Sequence, residues 1–169
     1  MPCKVNSVAY ANEILQWTHD HLHNEILTVV MKVITFFGSE HGILIILALG
    51  IWFVHKRLFI KVSALVLFSV LLNLFLKGIW QECRPDMIYR PDHFTVAGFS
   101  LPSGHAQLVM TLWGYLAFLI KHTKFRRFCG FWILAVSFSR IYLGVHFLHD
   151  VLLGLTVGAG LVACMLVVN

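Results

Sequence analysis

Long apolar runs at about 41–55, 59–77, 105–120, 128–144 and 147–168 are separated by short charged or proline-containing breaks. A helix crossing the hydrocarbon layer takes about 20 residues, and backbone in lipid must satisfy its own hydrogen bonds. Such runs, spaced this closely, point to a bundle of membrane helices. Composition agrees: 59% of the 169 residues are apolar and 12% charged, against roughly 45–50% and 25% in a soluble domain. Mean hydropathy is +0.80. Soluble globular, disordered and disulfide-scaffold architectures are excluded. The expected fold is all-α, a polytopic transmembrane bundle with about five spans preceded by N-terminal interfacial amphipathic helices. One domain is expected over 1–169, with interfacial helices in 1–38, a transmembrane core in 41–168 and an active-site loop at 78–104.

The segment 24–37 differs from the other runs. Glu25, Thr28, Lys32 and Thr35 recur at steps of three and four, while Ile26, Val29, Val30, Val33, Ile34 and Phe37 cover the remaining surface. That pattern predicts a helix lying in the membrane interface, with a weaker one before it. A short sixth span at 24–37 is the alternative.

A net charge of +5 and a pI of 9.2 could suggest nucleic acid. The distribution argues otherwise, because Lys56, Arg57 and Lys61 form one cluster between apolar runs and Lys121, Lys124, Arg126 and Arg127 another. This is the positive-inside pattern of cytoplasmic loops. No nucleic-acid partner is expected; the bilayer is. The N-terminus, the 78–104 loop and the 145–146 connection then face the extracytoplasmic side, and the acidic residues fall on that side or at its edge. The first 25 residues lack the apolar core of a cleavable signal peptide. The chain ends at Asn169 directly after its last run, so it reads as truncated or part of a longer protein. Oligomeric state leaves no signature. Cys3, Cys83, Cys129 and Cys164 show no close pair and no metal spacing. Cys3 and Cys83 share the outer side, but a bridge between them is not the leading expectation.

The chemistry lies at the outer ends of the spans. Lys77 ends the second run, Arg84 follows in the loop, His105 starts the third, Arg140 closes the fourth, and His146 and Asp150 open the fifth. Ionisable groups near hydrocarbon are costly and mark function by default; snorkelling explains a single Lys or Arg but not the set. Three cations suit a dianionic phosphate, and arginine binds its oxygens in bidentate fashion. Pro102-Ser103-Gly104-His105 opens an apolar helix whose free N–H groups favour an anion. Asp150 lies one helical turn beyond His146 and can fix its tautomer. Phosphoryl transfer also needs a nucleophile and a leaving-group acid, and two histidines are present. His19, His21 and His23 read as interfacial surface rather than a metal site. His93 reads as solvated loop, His149 ranks below His146, and Tyr142, Trp80 and Trp113 read as interface anchors. Asn73 reads as an interhelical hydrogen bond.

Lys77-x6-Arg84-Pro85, Pro102-Ser103-Gly104-His105 and Ser139-Arg140-x5-His146-x3-Asp150 together resemble the three signature motifs of the type 2 phosphatidic acid phosphatase superfamily. The motifs run from 77 to 150, and the similarity of pattern extends over about 25–168. The resemblance implies an integral-membrane lipid phosphate phosphatase that needs no metal or cofactor. In that reading His146 attacks phosphorus, Asp150 orients it, and His105 protonates the leaving oxygen and later helps activate water. Lys77, Arg84, Arg140, Ser103 and the Gly104 backbone hold the phosphoryl oxygens. Implied substrates are phosphatidylglycerol phosphate, phosphatidic acid, undecaprenyl pyrophosphate or a lipid A phosphate, met on the extracytoplasmic face of the cell membrane. The chain departs from the six-span pattern of many bacterial members by lacking the first span. A vanadate-dependent haloperoxidase-like enzyme, a serine hydrolase built on Ser103 and a catalytically degenerate membrane scaffold are the alternatives.

Overall fold

The computed structural model of this chain describes residues 9–90 and 96–168, and helices account for most of them. In order they are α1 (Ala9–Leu22), α2 (Glu25–Gly38), α3 (Glu40–Phe53), α4 (Lys56–Trp80), a 3-10 turn (Met87–Tyr89), α5 (Gly104–Leu119), α6 (Thr123–Tyr142) and α7 (Leu148–Val168). Polar caps set several boundaries. Asn24 Oδ1 accepts from the Ile26 N–H at 2.9 Å to start α2. Ser39 closes α2 through its N–H on the Phe36 carbonyl, at 3.0 Å, and opens α3 by accepting from the Gly42 N–H at 3.2 Å. His55 Nδ1 accepts from Leu58 N–H to start α4, and Gln81, left-handed at φ 51°, ends it.

Helix α5 is the hub, packed against α4, α6 and α7. Its apolar side joins Ile43, Leu47, Val62 and Val66 in one core through Leu112 and Leu116. Close approach to α7 depends on two glycines spaced four apart. A Cβ on Gly154 would lie 2.5 Å from the Ser103 carbonyl oxygen, and one on Gly158 would lie 2.7 Å from that of Gln107. Small residues at this spacing let membrane helices meet backbone to backbone. Between α4 and α5 a polar patch adjoins this core: buried Gln107 Nε2 donates to the Ser69 carbonyl at 2.8 Å, and its Oε1 accepts from Asn73 Nδ2 at 2.8 Å. Asn73 is thus the interhelical hydrogen bond expected of it.

The surface carries apolar side chains in quantity: Trp52, Phe53, Leu67, Phe75, Phe131 and Leu134 are all at least 60% exposed. Apolar groups outside and hydrogen-bonded polar groups inside are what a lipid solvent selects. The protein is a membrane protein. By length and composition, two helices among the described residues are able to cross the bilayer, Lys56–Trp80 and Leu148–Val167. Helices α2 and α3, bent by 57° at Ser39, qualify together as a broken span or re-entrant pair. Helix α5 has 16 residues, roughly 24 Å, and α6 opens with Lys124, Arg126 and Arg127, which lower its apolarity. These two complete the bundle without meeting a spanning length and hydropathy on their own.

Helix α2 shows why its periodicity was ambiguous. Thr28 and Thr35 turn inward and are buried, whereas Ile26, Val29 and Val33 are more than half exposed. The two threonines of the polar stripe therefore meet α6 rather than water, while Glu25 stays exposed. Tyr142 of α6, expected as an interface anchor, is instead 3% exposed, with its hydroxyl 3.1 Å from Thr28 Oγ1 and 3.2 Å from the Asn24 carbonyl. It fastens the α1–α2 junction to α6. Cys83 is disulfide-bonded, contrary to expectation, while Cys129 and Cys164 carry free thiols. Cys3 and His93 lie outside the described residues.

Candidate active site

Four helix ends and one loop converge around His146. Lys77, in the last turn of α4, donates through Nζ to the carbonyls of Phe99 and Ser100. The left-handed turn at Gln81 carries the chain around to Arg84, whose guanidinium is held by backbone oxygens. Nε donates to Gly98 at 2.9 Å, Nη2 to Ala97 at 3.1 Å and Nη1 to Val145 at 3.0 Å. Arg84 thereby joins the loop before α5 to the turn between α6 and α7. That turn requires Gly144, at φ +61°, where a Cβ would lie 2.3 Å from the Tyr89 carbonyl oxygen. It delivers His146, 2% exposed, to the centre of the site.

Asp150, fully buried in the first turn of α7, orders the surroundings. Its Oδ2 accepts from the Ser100 hydroxyl, from the Phe147 N–H at 2.8 Å and from His146 Nδ1 at 3.3 Å. Its backbone carbonyl accepts from the Ser103 N–H at 3.0 Å, tying α7 to the start of α5. These contacts assign the tautomer of His146. An arginine only donates, and Arg84 Nη1 lies 3.2 Å from Nε2. A carboxylate only accepts, so the ring proton sits on Nδ1 and the lone pair, facing the Arg84 donor, on Nε2. Burial, then the positive charges of Arg140, Arg84 and Lys77 with His105 nearby, holds the His146 imidazole well below its ordinary pKa and hence neutral. Arg84 is lowered to about 10, mainly by burial and then by Arg90, and stays charged at neutral pH.

Two buried donors at this centre lack protein partners. Arg140, 2% exposed, gives Nη1 to Thr35 Oγ1 on α2, but its Nε has no partner among the described residues. Ser103 Oγ, on a fully buried residue at the mouth of α5, has none either. Unpaired buried donors are rare and costly. With three fixed cations facing one dyad carboxylate, they describe a place for a polyanionic tetrahedral group. His105, in the first turn of α5, lines a cavity of about 200 Å³ with Gly104, Asn73, Glu40 and His41. An apolar cavity of about 450 Å³ between α3 and α4 adjoins it, sharing Glu40, Val70 and Leu108.

All the sequence-predicted residues thus occupy one region, with Arg84 and Asp150 each in contact with His146. Residues missed by the sequence are Ser100 and Thr35, which reach Asp150 and Arg140 through the tertiary fold and fall in no motif. His149 also comes nearer than adjacent helical positions suggest, its Nε2 lying 3.3 Å from Asp150 Oδ1.

The model of the PAP2 superfamily matches residues 58–169, which hold every one of the motif positions. The chain belongs to the PAP2 superfamily. It is 30% identical over 167 residues to phosphatidylglycerophosphatase B of Bacillus subtilis, covering 90% of this chain and 80% of that one. It is 29% identical over 152 residues to undecaprenyl-diphosphatase of Sulfolobus acidocaldarius, covering 81% and 69%. The crystal structure of a transmembrane PAP2-type phosphatidylglycerolphosphate phosphatase from Bacillus subtilis superposes with a TM-score of 0.81 at 28% identity, over 92% of this chain and 82% of that one. That of Aquifex aeolicus LpxE superposes at 0.78 and 21% identity, over 95% and 96%, and shares the fold.

Proposed function

We propose that this PAP2 protein is a lipid phosphate phosphatase working through a phosphohistidine on His146. The observation that carries the reading is the orientation of His146: its Nε2 lone pair is turned into a cationic pocket while Nδ1 is held by Asp150. Nε2 attacks phosphorus as the bond to the leaving oxygen breaks, and His105 gives that oxygen a proton. Water then attacks the phosphorus of the N–P bond, with His105 taking its proton, and inorganic phosphate leaves. Lys77, Arg84, Arg140, Ser103 and the Gly104 N–H stabilise the equatorial oxygens throughout, the role a metal plays elsewhere.

The apolar cavity beside His105 supports a lipid as substrate, since an acyl or isoprenoid chain would lie between α3 and α4 with its phosphate at the histidines. Phosphatidylglycerol phosphate and undecaprenyl pyrophosphate, matching the names of the two relatives, head the list. Phosphatidic acid and lipid A phosphates follow. The site faces the extracytoplasmic side of a multi-pass bundle in this reading, because Arg57 and Lys77 sit at opposite ends of α4, about 30 Å apart along the helix. Phosphate release from a panel of these lipids in detergent tests the proposal. Turnover of at least one lipid phosphate is expected; turnover of none, by a folded protein, would refute it.

A further inference from the structure

On the side of Asp150 turned away from the catalytic imidazole, three metal-competent side chains meet. His149 Nε2 lies 3.3 Å from Asp150 Oδ1 and 3.5 Å from Glu82 Oε2, and all three atoms fall within 4.8 Å of one another. Glu82 is 4% exposed and Asp150 fully buried. Neither Glu82 Oε2 nor Asp150 Oδ1 has a hydrogen-bond partner among the described residues. Two buried carboxylate oxygens without a hydrogen bond, both aimed at one imidazole nitrogen, form a costly arrangement unless a positive charge joins them. His149 is stacked on the Phe147 ring, with centroids 5.4 Å apart and planes within 10°, which fixes the direction of Nε2. Its side chain is 37% exposed, leaving a solvent-side opening.

The chemistry selects the ion. Zinc bonds of roughly 2.0–2.2 Å in a tetrahedron place ligand atoms about 3.3–3.6 Å apart, the spacing His149 already keeps to both carboxylates. One imidazole and two carboxylates with an open fourth position suit zinc, whereas magnesium and calcium demand six or more oxygens.

We propose that Glu82, His149 and Asp150 form a zinc site whose occupancy inhibits the enzyme. Asp150 would then bind zinc through Oδ1 while Oδ2 still faces Ser100 and His146. A dication on one oxygen withdraws charge from the carboxylate that orients the nucleophile, so His146 becomes a weaker attacking base. Zinc here is a regulator, and the phosphoryl transfer runs without it. The binding half stands on the geometry alone, and the inhibitory half rests on the phosphatase reading.

The test uses the full chain in detergent, stripped with chelator and carrying no polyhistidine tag, with wild type compared against Glu82→Gln and His149→Ala. Zinc is titrated calorimetrically, and phosphate release from a lipid phosphate is followed in parallel. Wild type is expected to bind one more equivalent than either variant. Zinc should inhibit wild type at a concentration at least tenfold lower than it inhibits the variants, with EDTA restoring activity. Cobalt(II) added to wild type alone should give the intense visible absorption of a four-coordinate site, a readout independent of how the variants fold. Equal zinc stoichiometry in all three proteins, or no four-coordinate cobalt spectrum, would overturn the site. Zinc bound at this site with equal inhibition of wild type and variants would overturn its regulatory role. Failure to hydrolyse any lipid phosphate would count against the phosphatase reading and leave the stoichiometry as the arbiter of the site.

Discussion

At the scale of single residues, the position of one proton governs the account. His146 is held neutral with its lone pair on Nε2, by burial first and by Arg140, Arg84 and Lys77 after it. A lowered pKa keeps the reactive base present above that value and removes it only as pH falls through it. The acid limb of kcat/KM assigned to this imidazole should therefore lie below the ordinary histidine range near 6.5. Arg84→Gln removes one of the charges that hold the value down, so that limb should move to higher pH while the rate falls about 10²–10³-fold. A pH–rate profile of both proteins checks the two together, and an unmoved limb would contradict the electrostatic argument. Ser100 offers a second check. Its hydroxyl donates to Asp150 Oδ2, and a hydrogen bond to a charged group contributes about 1.5–3 kcal/mol. Ser100→Ala should lower kcat roughly 10–100-fold with little change in KM, as steady-state kinetics on one lipid phosphate would show. The ionisable motif residues are legible in the sequence because they sit at or just beyond helix ends, where such a group is expensive. Ser100 was not, because serine in a loop is unremarkable until the fold brings it to Asp150.

At the scale of elements, the contact between α5 and α7 sets the geometry of the site, since Ser103 and Asp150 lie on opposite sides of it and are joined backbone to backbone. Gly154→Ala would press a Cβ to 2.5 Å from the Ser103 carbonyl oxygen, whereas Gly160→Ala meets nothing within 4 Å. Overpacking of this kind costs about 1–3 kcal/mol. Thermal unfolding in detergent should show Gly154→Ala clearly destabilised and less active, with Gly160→Ala close to wild type. The same scale shows where periodicity misleads. In water the polar stripe of Thr28 and Thr35 would face solvent, but in a membrane bundle it faces the protein, where Tyr142 and Arg140 receive it. Sequence pattern gives the stripe; the solvent decides which way it points. The apolar runs were legible because length and hydropathy act locally, while the bend at Ser39 depends on a cap that satisfies the ends of two helices at once.

At the scale of the whole molecule, the proposed topology puts the basic clusters and the candidate site at opposite ends of the helices, with the substrate drawn from the extracytoplasmic leaflet. Met87 and Lys124 are both exposed, Met87 near the site and Lys124 at the basic end. In a Cys164→Ala background, a membrane-impermeant thiol reagent on intact cells should label Met87→Cys and leave Lys124→Cys unmodified until the membrane is permeabilised. The reverse would invert the topology. In the proposed mechanism Lys77, Arg84 and Arg140 neutralise the transferred phosphoryl group, so EDTA should leave turnover intact and orthovanadate should block it; loss of activity on chelation, restored by magnesium, would contradict the proposal. The proposed covalent step on His146 is open to rapid-quench trapping with a radiolabelled lipid phosphate. Wild type should form an acid-labile phosphoenzyme, His146→Ala none, and His105→Ala should show a defect that shrinks when the leaving group needs no proton. A labelled phosphohistidine surviving in His146→Ala would contradict that step.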